Sequence, residues 1–255
     1  MTIDLNPNTL GLPLTTVFTL IGGLAALAWM VRQAPSFRLT RGETYAIALR
    51  TMLWAILGAR VSHLIDFAGF YAGVPFQVFY LWSGGLSAWG ALLAGAIGAI
   101  WHAKRRGASL GAFADYLTLA GLGATAAGRI GDLLAGERMG TATSVPWAVT
   151  YTNAGAAAFD AGAVHPVAAY ELLVLGAITL ALVVLRRWLR SGWAIAPAFA
   201  GYAVARFAIG FVTVERTHLG LGLSQWIALA VFAAISWYGF TRRGQIFAAR
   251  DTNRA

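Results

Sequence analysis

The chain has 255 residues, 58% of them hydrophobic and only 11% charged, with a formal net charge of +9. Soluble domains carry about a quarter charged residues, so a water-soluble globular domain is disfavoured. The basic residues fall in short clusters between apolar runs, where topology signals and lipid headgroups put them, so nucleic acid is a poor match.

Seven apolar stretches are predicted as membrane-spanning helices: about 12–31, 43–66, 86–102, 112–135, 166–186, 193–213 and 222–240. Each is near the roughly 20 residues that cross a bilayer as a helix. The first lacks a basic leader and is long enough to span, so it reads as a retained helix, not a cleaved signal peptide. After the second, residues 67–82 hold Phe67, Phe70, Tyr71, Phe76, Phe79, Tyr80 and Trp82, an aromatic density suited to the lipid–water boundary. The third carries Gly90, Ala94 and Gly98 at four-residue spacing, and the fourth carries Ala124, Gly128, Gly131 and Ala135 on one face. Small residues so spaced let helix backbones approach closely in lipid. Residues 138–164, rich in Gly, Ala and Thr, are expected to form a small extracytoplasmic loop region.

Loop charges alternate. Thirteen Lys and Arg residues flank the inner ends of the spans and the tail, against Arg138 and Arg216 on the other side. This bias predicts an outside N-terminus and a cytoplasmic C-terminus. The expected fold is therefore all-α and polytopic, one integral-membrane domain over residues 1–255. There is no cysteine, Lys104 is the single lysine, and the four histidines show no paired ligand spacing. No catalytic metal or cofactor is expected.

Four arginines lie inside the predicted spans: Arg50, Arg60, Arg129 and Arg206. On insertion scales their summed cost is on the order of 10 to 14 kcal/mol, comparable to the stability of a whole domain. Arg50 can snorkel to the inner face. Arg60 has Asp66 nearby, so ion pairing competes with ligand binding. Arg129 and Arg206 come from different helices, and two guanidiniums converging from separate helices form a fork for a phosphate diester. Arg129 opens the run Arg129-Ile130-Gly131-Asp132, which places Asp132 on the same helix face. Glu137 follows Gly136 at the outer end of that span. His165-Pro166 opens the fifth span, with Tyr170 and the apolar-flanked Glu171 one to two turns inside it. Gly84, Gly85 and Ser87 make a glycine turn ahead of the third span, with amides and a hydroxyl free to meet an anionic headgroup.

Taken in order, these segments resemble the bacterial prolipoprotein diacylglyceryl transferase family, from about Arg60 to Trp226. The resemblance implies transfer of the diacylglyceryl group of phosphatidylglycerol to the lipobox cysteine thiol of a preprolipoprotein, forming a thioether. The partners are then phosphatidylglycerol, the preprolipoprotein signal peptide and membrane lipid. Arg129, Arg206 and Glu137 are the expected catalytic residues. Arg60, Gly84, Gly85, Ser87, Asp132, His165, Tyr170 and Glu171 are expected to bind substrate. The chain departs from the family pattern in several places. Trp89 stands where a histidine follows the glycine turn, Asp132 where the arginine run ends in asparagine, and Ala135 where asparagine precedes the Gly-Glu pair. Ala168 or Ala169 replaces a glutamine, and Gly210 replaces a glutamate four residues after Arg206, for which Glu215 and Arg216 are shifted candidates. These departures leave two alternatives open: a phospholipid-dependent transferase with another acceptor, and a non-enzymatic lipid-binding or transport protein.

Overall fold

The computed structural model describes the whole chain except residues 7, 10, 11, 81–86, 157, 186, 187, 215, 216 and 242–255. Among the described residues it is mostly helical: α1 (Leu14–Arg32), α2 (Arg41–Asp66), α3 (Ala68–Gly73), α4 (Ala88–Arg105), α5 (Leu110–Ala135), α6 (Val167–Leu185), α7 (Ile195–Gly210) and α8 (Leu223–Thr241). Apart from the short α3, each helix overlaps one of the predicted apolar stretches, with ends shifted by up to three residues. Three of them, α1, α6 and α8, are long and apolar enough to cross a membrane. The others are interrupted by charge, such as Arg129 and Asp132 in α5, or are short, as in α7. The chain divides into two compact units, Met1–Ala28 with Ala114–Ala255, and Trp29–Phe113.

In the Trp29–Phe113 unit, α2 starts at a capping box. The Thr40 hydroxyl accepts from Glu43 N, and the Glu43 carboxylate accepts from Thr40 N at 2.9 Å. Two orphan donors of the first turn are thereby satisfied. Helix α4 lies along α2 because small residues face each other. A β-carbon on Gly98 would come within 2.8 Å of Trp54, and Gly58 and Gly90 sit directly against one another. Trp54 and Trp101 then meet edge to face, with ring centroids 5.9 Å apart. The predicted small-residue stripe of the third span is thus a packing surface.

In the other unit the stripe of α5 packs on α1. A β-carbon on Gly22 would meet Ala127 at 2.6 Å, and one on Gly131 would meet the backbone of Thr15 at 2.7 Å. Helix α6 buries Val167, Ala168, Glu171, Leu175 and Leu182. From Ala168 onward these positions follow three- and four-residue helical spacing, so the single carboxylate lies on the buried stripe. Helices α7 and α8 are joined by Gln225, whose Nε2 donates to the Phe207 carbonyl at 3.1 Å and whose Oε1 accepts from Gly222 N at 2.8 Å.

Residues 138–164 fold as a small module with a core of Val149, Tyr151, Ala156, Ala158 and Val164, completed by Ile3. Thr2–Ile3 runs parallel to Thr150–Tyr151 as a two-stranded ribbon. Tyr151 reaches out of this core and donates its hydroxyl to the Leu133 carbonyl at 2.7 Å, tying the module to the end of α5. Its burial pushes the Tyr151 phenol up to about 12, because ionisation there would strand a charge away from water.

Candidate functional site

Helix α5 stops at Gly136, whose φ of 68° is left-handed. Glu137 N closes back on the Asp132 carbonyl at 3.1 Å, a Schellman stop that glycine adopts without a steric penalty. The chain reverses there, so Glu137 and Arg138 return to the last turn of the helix. Arg138 Nε donates to Asp132 Oδ2 at 2.9 Å. From one turn earlier on α5, Arg129 Nη1 donates to the same oxygen at 2.5 Å.

Glu171 of α6 is the centre of the cluster. It is completely buried, and its carboxylate is met by Arg129, by Arg206 Nη1 of α7 at 3.1 Å and by Arg138 Nη1 at 3.5 Å. A carboxylate taken out of water alone costs several kcal/mol, so Glu171 is tolerable only because guanidiniums surround it. Three guanidiniums against two ion-paired carboxylates leave the cluster with one net positive charge.

Beside it lies a pocket of about 500 Å³. Its charged walls are Arg129, Asp132, Glu137, Arg138 and Arg206; Thr15 and Thr213 add hydroxyls, and Met139 and Val214 an apolar edge. Among the described residues Glu137 is the wall carboxylate without a guanidinium on it, and it is exposed. The arrangement can hold a dianionic or diester phosphate oxygen on the guanidiniums while an unengaged carboxylate faces the same space.

Of the residues singled out from sequence, the structure brings Arg129, Asp132, Glu137, Glu171 and Arg206 together. His165 and Tyr170 form a separate chain next to Glu171: Trp147 Nε1 donates to the Tyr170 hydroxyl at 2.8 Å, and His165 Nδ1 lies 2.9 Å from that hydroxyl. Arg60, in the other unit, is buried and donates through Nε to the Val78 carbonyl at 2.9 Å and through Nη2 to the Gln77 carbonyl, with Tyr71 under its guanidinium. It clamps the turn at 75–79 onto α2. Ser87 starts α4, its N donating to the Ala59 carbonyl at 3.0 Å and its hydroxyl meeting that of Ser62 at 3.1 Å. Gly84, Gly85, Glu215 and Arg216 lie outside the described residues.

Sequence reasoning missed the role of two features. Arg138 reads there only as an outer-loop charge, yet it joins both carboxylates of the cluster. The signal that could have found it is the Ala135-Gly136 helix stop, which turns whatever follows back onto Asp132. Gly210 is the second. The Gln225 side chain occupies the space a β-carbon would need there, and Glu171, from another helix, supplies the acid beside Arg206.

The sequence profile described as prolipoprotein diacylglyceryl transferase matches residues 12–241. Phosphatidylglycerol--prolipoprotein diacylglyceryl transferase 1 of Streptomyces coelicolor is 35% identical over 223 residues, covering 84% of this chain and 65% of the relative. The transferase of Bordetella parapertussis is 31% identical over 227 residues, covering 81% of this chain and 84% of its own. That of Paenarthrobacter aurescens is 32% identical over 247 residues, covering 87% and 77%. The match thus spans about two thirds of the first relative's length and more of the other two. With nearly the whole chain matched, it belongs to the prolipoprotein diacylglyceryl transferase family.

Proposed function

We propose that this protein transfers the diacylglyceryl group of phosphatidylglycerol to the lipobox cysteine thiol of a preprolipoprotein. The observation that carries the reading is the convergence of Arg129 and Arg206, from α5 and α7, on one pocket, in a chain whose relatives bear that activity in their names. The cysteine belongs to the acceptor, in keeping with a chain that has none.

In the proposed step the acceptor sulfur attacks the glyceryl carbon that carries the phosphodiester. The carbon–sulfur bond forms as the carbon–oxygen bond breaks, and glycerol phosphate leaves with the electron pair. An acceptor thiol of ordinary pKa, about 8.5, costs roughly 2 kcal/mol to ionise at pH 7. Guanidiniums at the pocket lower that cost by their field and stabilise the charge that grows on the departing phosphate. The thiol proton needs an acceptor. Asp132 is held by two guanidiniums and Glu171 by three, which leaves Glu137 as the pocket carboxylate best placed to take it. Trp89, where the family pattern has histidine, has no basic nitrogen. His165, already engaged with Tyr170, serves instead to order the start of α6.

The finer architecture belongs to the same proposal: seven spans in a single integral-membrane domain of the bacterial plasma membrane, N-terminus outside and C-terminus in the cytoplasm. The thirteen-to-two bias of loop charges supports it. Residues 138–164 and the arginine pocket then face the outer leaflet, where phosphatidylglycerol and the acceptor's lipobox meet.

Complementation tests the reading directly. In a strain depleted of its own transferase, expression of this chain should restore lipoproteins carrying the diacylglyceryl thioether. A viable, well-expressed strain with no thioether, while the purified protein leaves phosphatidylglycerol intact, would remove it.

A further inference from the structure

Arg138 occupies a different position in the pocket from the two arginines that sequence points to. Its side chain is 32% exposed, against 16% for Arg129 and 14% for Arg206, so it is the most accessible of the three cations on the pocket wall. Its nearest ion partner is Asp132, at 2.9 Å through Nε, and its contact with Glu171 is long at 3.5 Å. Asp132 Oδ2 is shared by Arg129 and Arg138, so this carboxylate is the charge that holds Arg138 against the wall. Without Arg138 the ion-paired cluster would have no net charge, and with Glu137 on the same wall the pocket would turn negative. An anionic headgroup would then be repelled.

Resting on the reading above, we propose that Arg138 is a third headgroup-binding cation, and that Asp132 sets its strength by competing with the phosphate for the same guanidinium. The reversal at Gly136 makes this possible, because it brings the residue after Glu137 back over Asp132. Nε stays on the Asp132 carboxylate and Nη1 makes only the long 3.5 Å contact to Glu171, so this part-exposed guanidinium keeps donor capacity for a phosphate oxygen. Hydrogen bonds to charged partners are strong enough that one such contact changes affinity by roughly tenfold or more.

The test uses the full-length purified protein in detergent, titrated with glycerol phosphate, alongside transfer kinetics on phosphatidylglycerol in mixed micelles. Arg138→Ala should weaken glycerol phosphate binding about tenfold or more, and should raise KM for phosphatidylglycerol by more than it lowers kcat. Arg138→Lys, which keeps the charge and loses the fork, should recover part of the affinity. Asp132→Asn should tighten binding by removing the competitor. The Arg138→Ala/Asp132→Asn double variant decides between a direct contact and simple charge balance. It should bind more weakly than Asp132→Asn alone and stay weaker than the unaltered protein. Full recovery of affinity in the double variant would mean that Arg138 only neutralises Asp132, and would overturn the proposal, as would Arg138→Ala binding within twofold of the unaltered protein. If the unaltered protein transfers normally while Arg138→Ala is unchanged, only this role for Arg138 falls. If the unaltered protein neither binds glycerol phosphate nor transfers, the underlying function falls with it.

Discussion

Glu171 is the residue on which the arginine cluster depends. It is buried on every side, and the guanidiniums that meet it come from α5, from α7 and from the loop after α5. Removing one partner of a buried ion pair typically destabilises by about 3 to 5 kcal/mol, because the remaining charge is left uncompensated. Glu171→Leu leaves three guanidiniums crowded without their shared counter-ion and should lower thermal stability in detergent by an amount in that range. A melting temperature equal to that of the unaltered protein would contradict the cluster as described. Arg129→Ala has a different signature. Glu171 keeps Arg206 and Arg138, so the fold should survive, whereas thioether formation should fall below detection by mass spectrometry of a lipobox peptide. Product at an unchanged rate would remove Arg129 from the proposed phosphate site.

At the scale of elements, the end of α5 is set by backbone conformation as much as by charge. Gly136 is left-handed at φ 68°, and a β-carbon added there would come within 3.0 Å of the Tyr151 ring. An L-residue in that conformation costs roughly 1 to 2 kcal/mol, and the new contact adds to it. Gly136→Ala should therefore lower stability by at least that much. It should also reduce transfer beyond the stability loss, since Glu137 and Arg138 leave their positions together. Folded, monodisperse Gly136→Ala protein with full activity would show that the reversal is dispensable.

Tyr151 binds the same turn from the 138–164 module, and its raised ionisation gives a pH signature. A phenol whose folded-state pKa lies above its unfolded value contributes stability that is complete below about pH 10 and is lost as pH rises towards about 12. Thermal melts from pH 9 to 12 should show this loss. Tyr151→Phe should be destabilised by about 1 kcal/mol at neutral pH, through the lost bond to the Leu133 carbonyl. The gap between the two proteins should then close as pH rises. A gap independent of pH would assign the alkaline loss to other groups.

For the whole molecule the testable quantity is orientation. A chain without native cysteine allows single reporters to be read cleanly. Ala142→Cys, in the 138–164 module, should react with a membrane-impermeant maleimide in intact cells, in spheroplasts if the outer barrier requires it. Lys104→Cys should react only after permeabilisation. Labelling in the reverse order would overturn the proposed topology and place the arginine pocket on the cytoplasmic side.

Helix positions, and the charges that demand explanation, can be read along the chain. Apolar runs of nearly fixed length, small residues at four-residue spacing and arginines stranded among them are local patterns, and local patterns are legible in one dimension. Arg129, Asp132, Glu137 and Arg206 stood out for that reason, as did Glu171, an acid in an otherwise apolar helix. Tertiary structure alone decided who meets whom. The sharing of Glu171 among three guanidiniums is one such outcome, and so are the capture of Arg138 by Asp132, the clamp of Arg60 on the Gln77 and Val78 carbonyls, and the seating of Gln225 against Gly210. Helical periodicity fixes which face a residue lies on but carries no record of the facing helix. The energy of a buried charge is set almost entirely by what faces it.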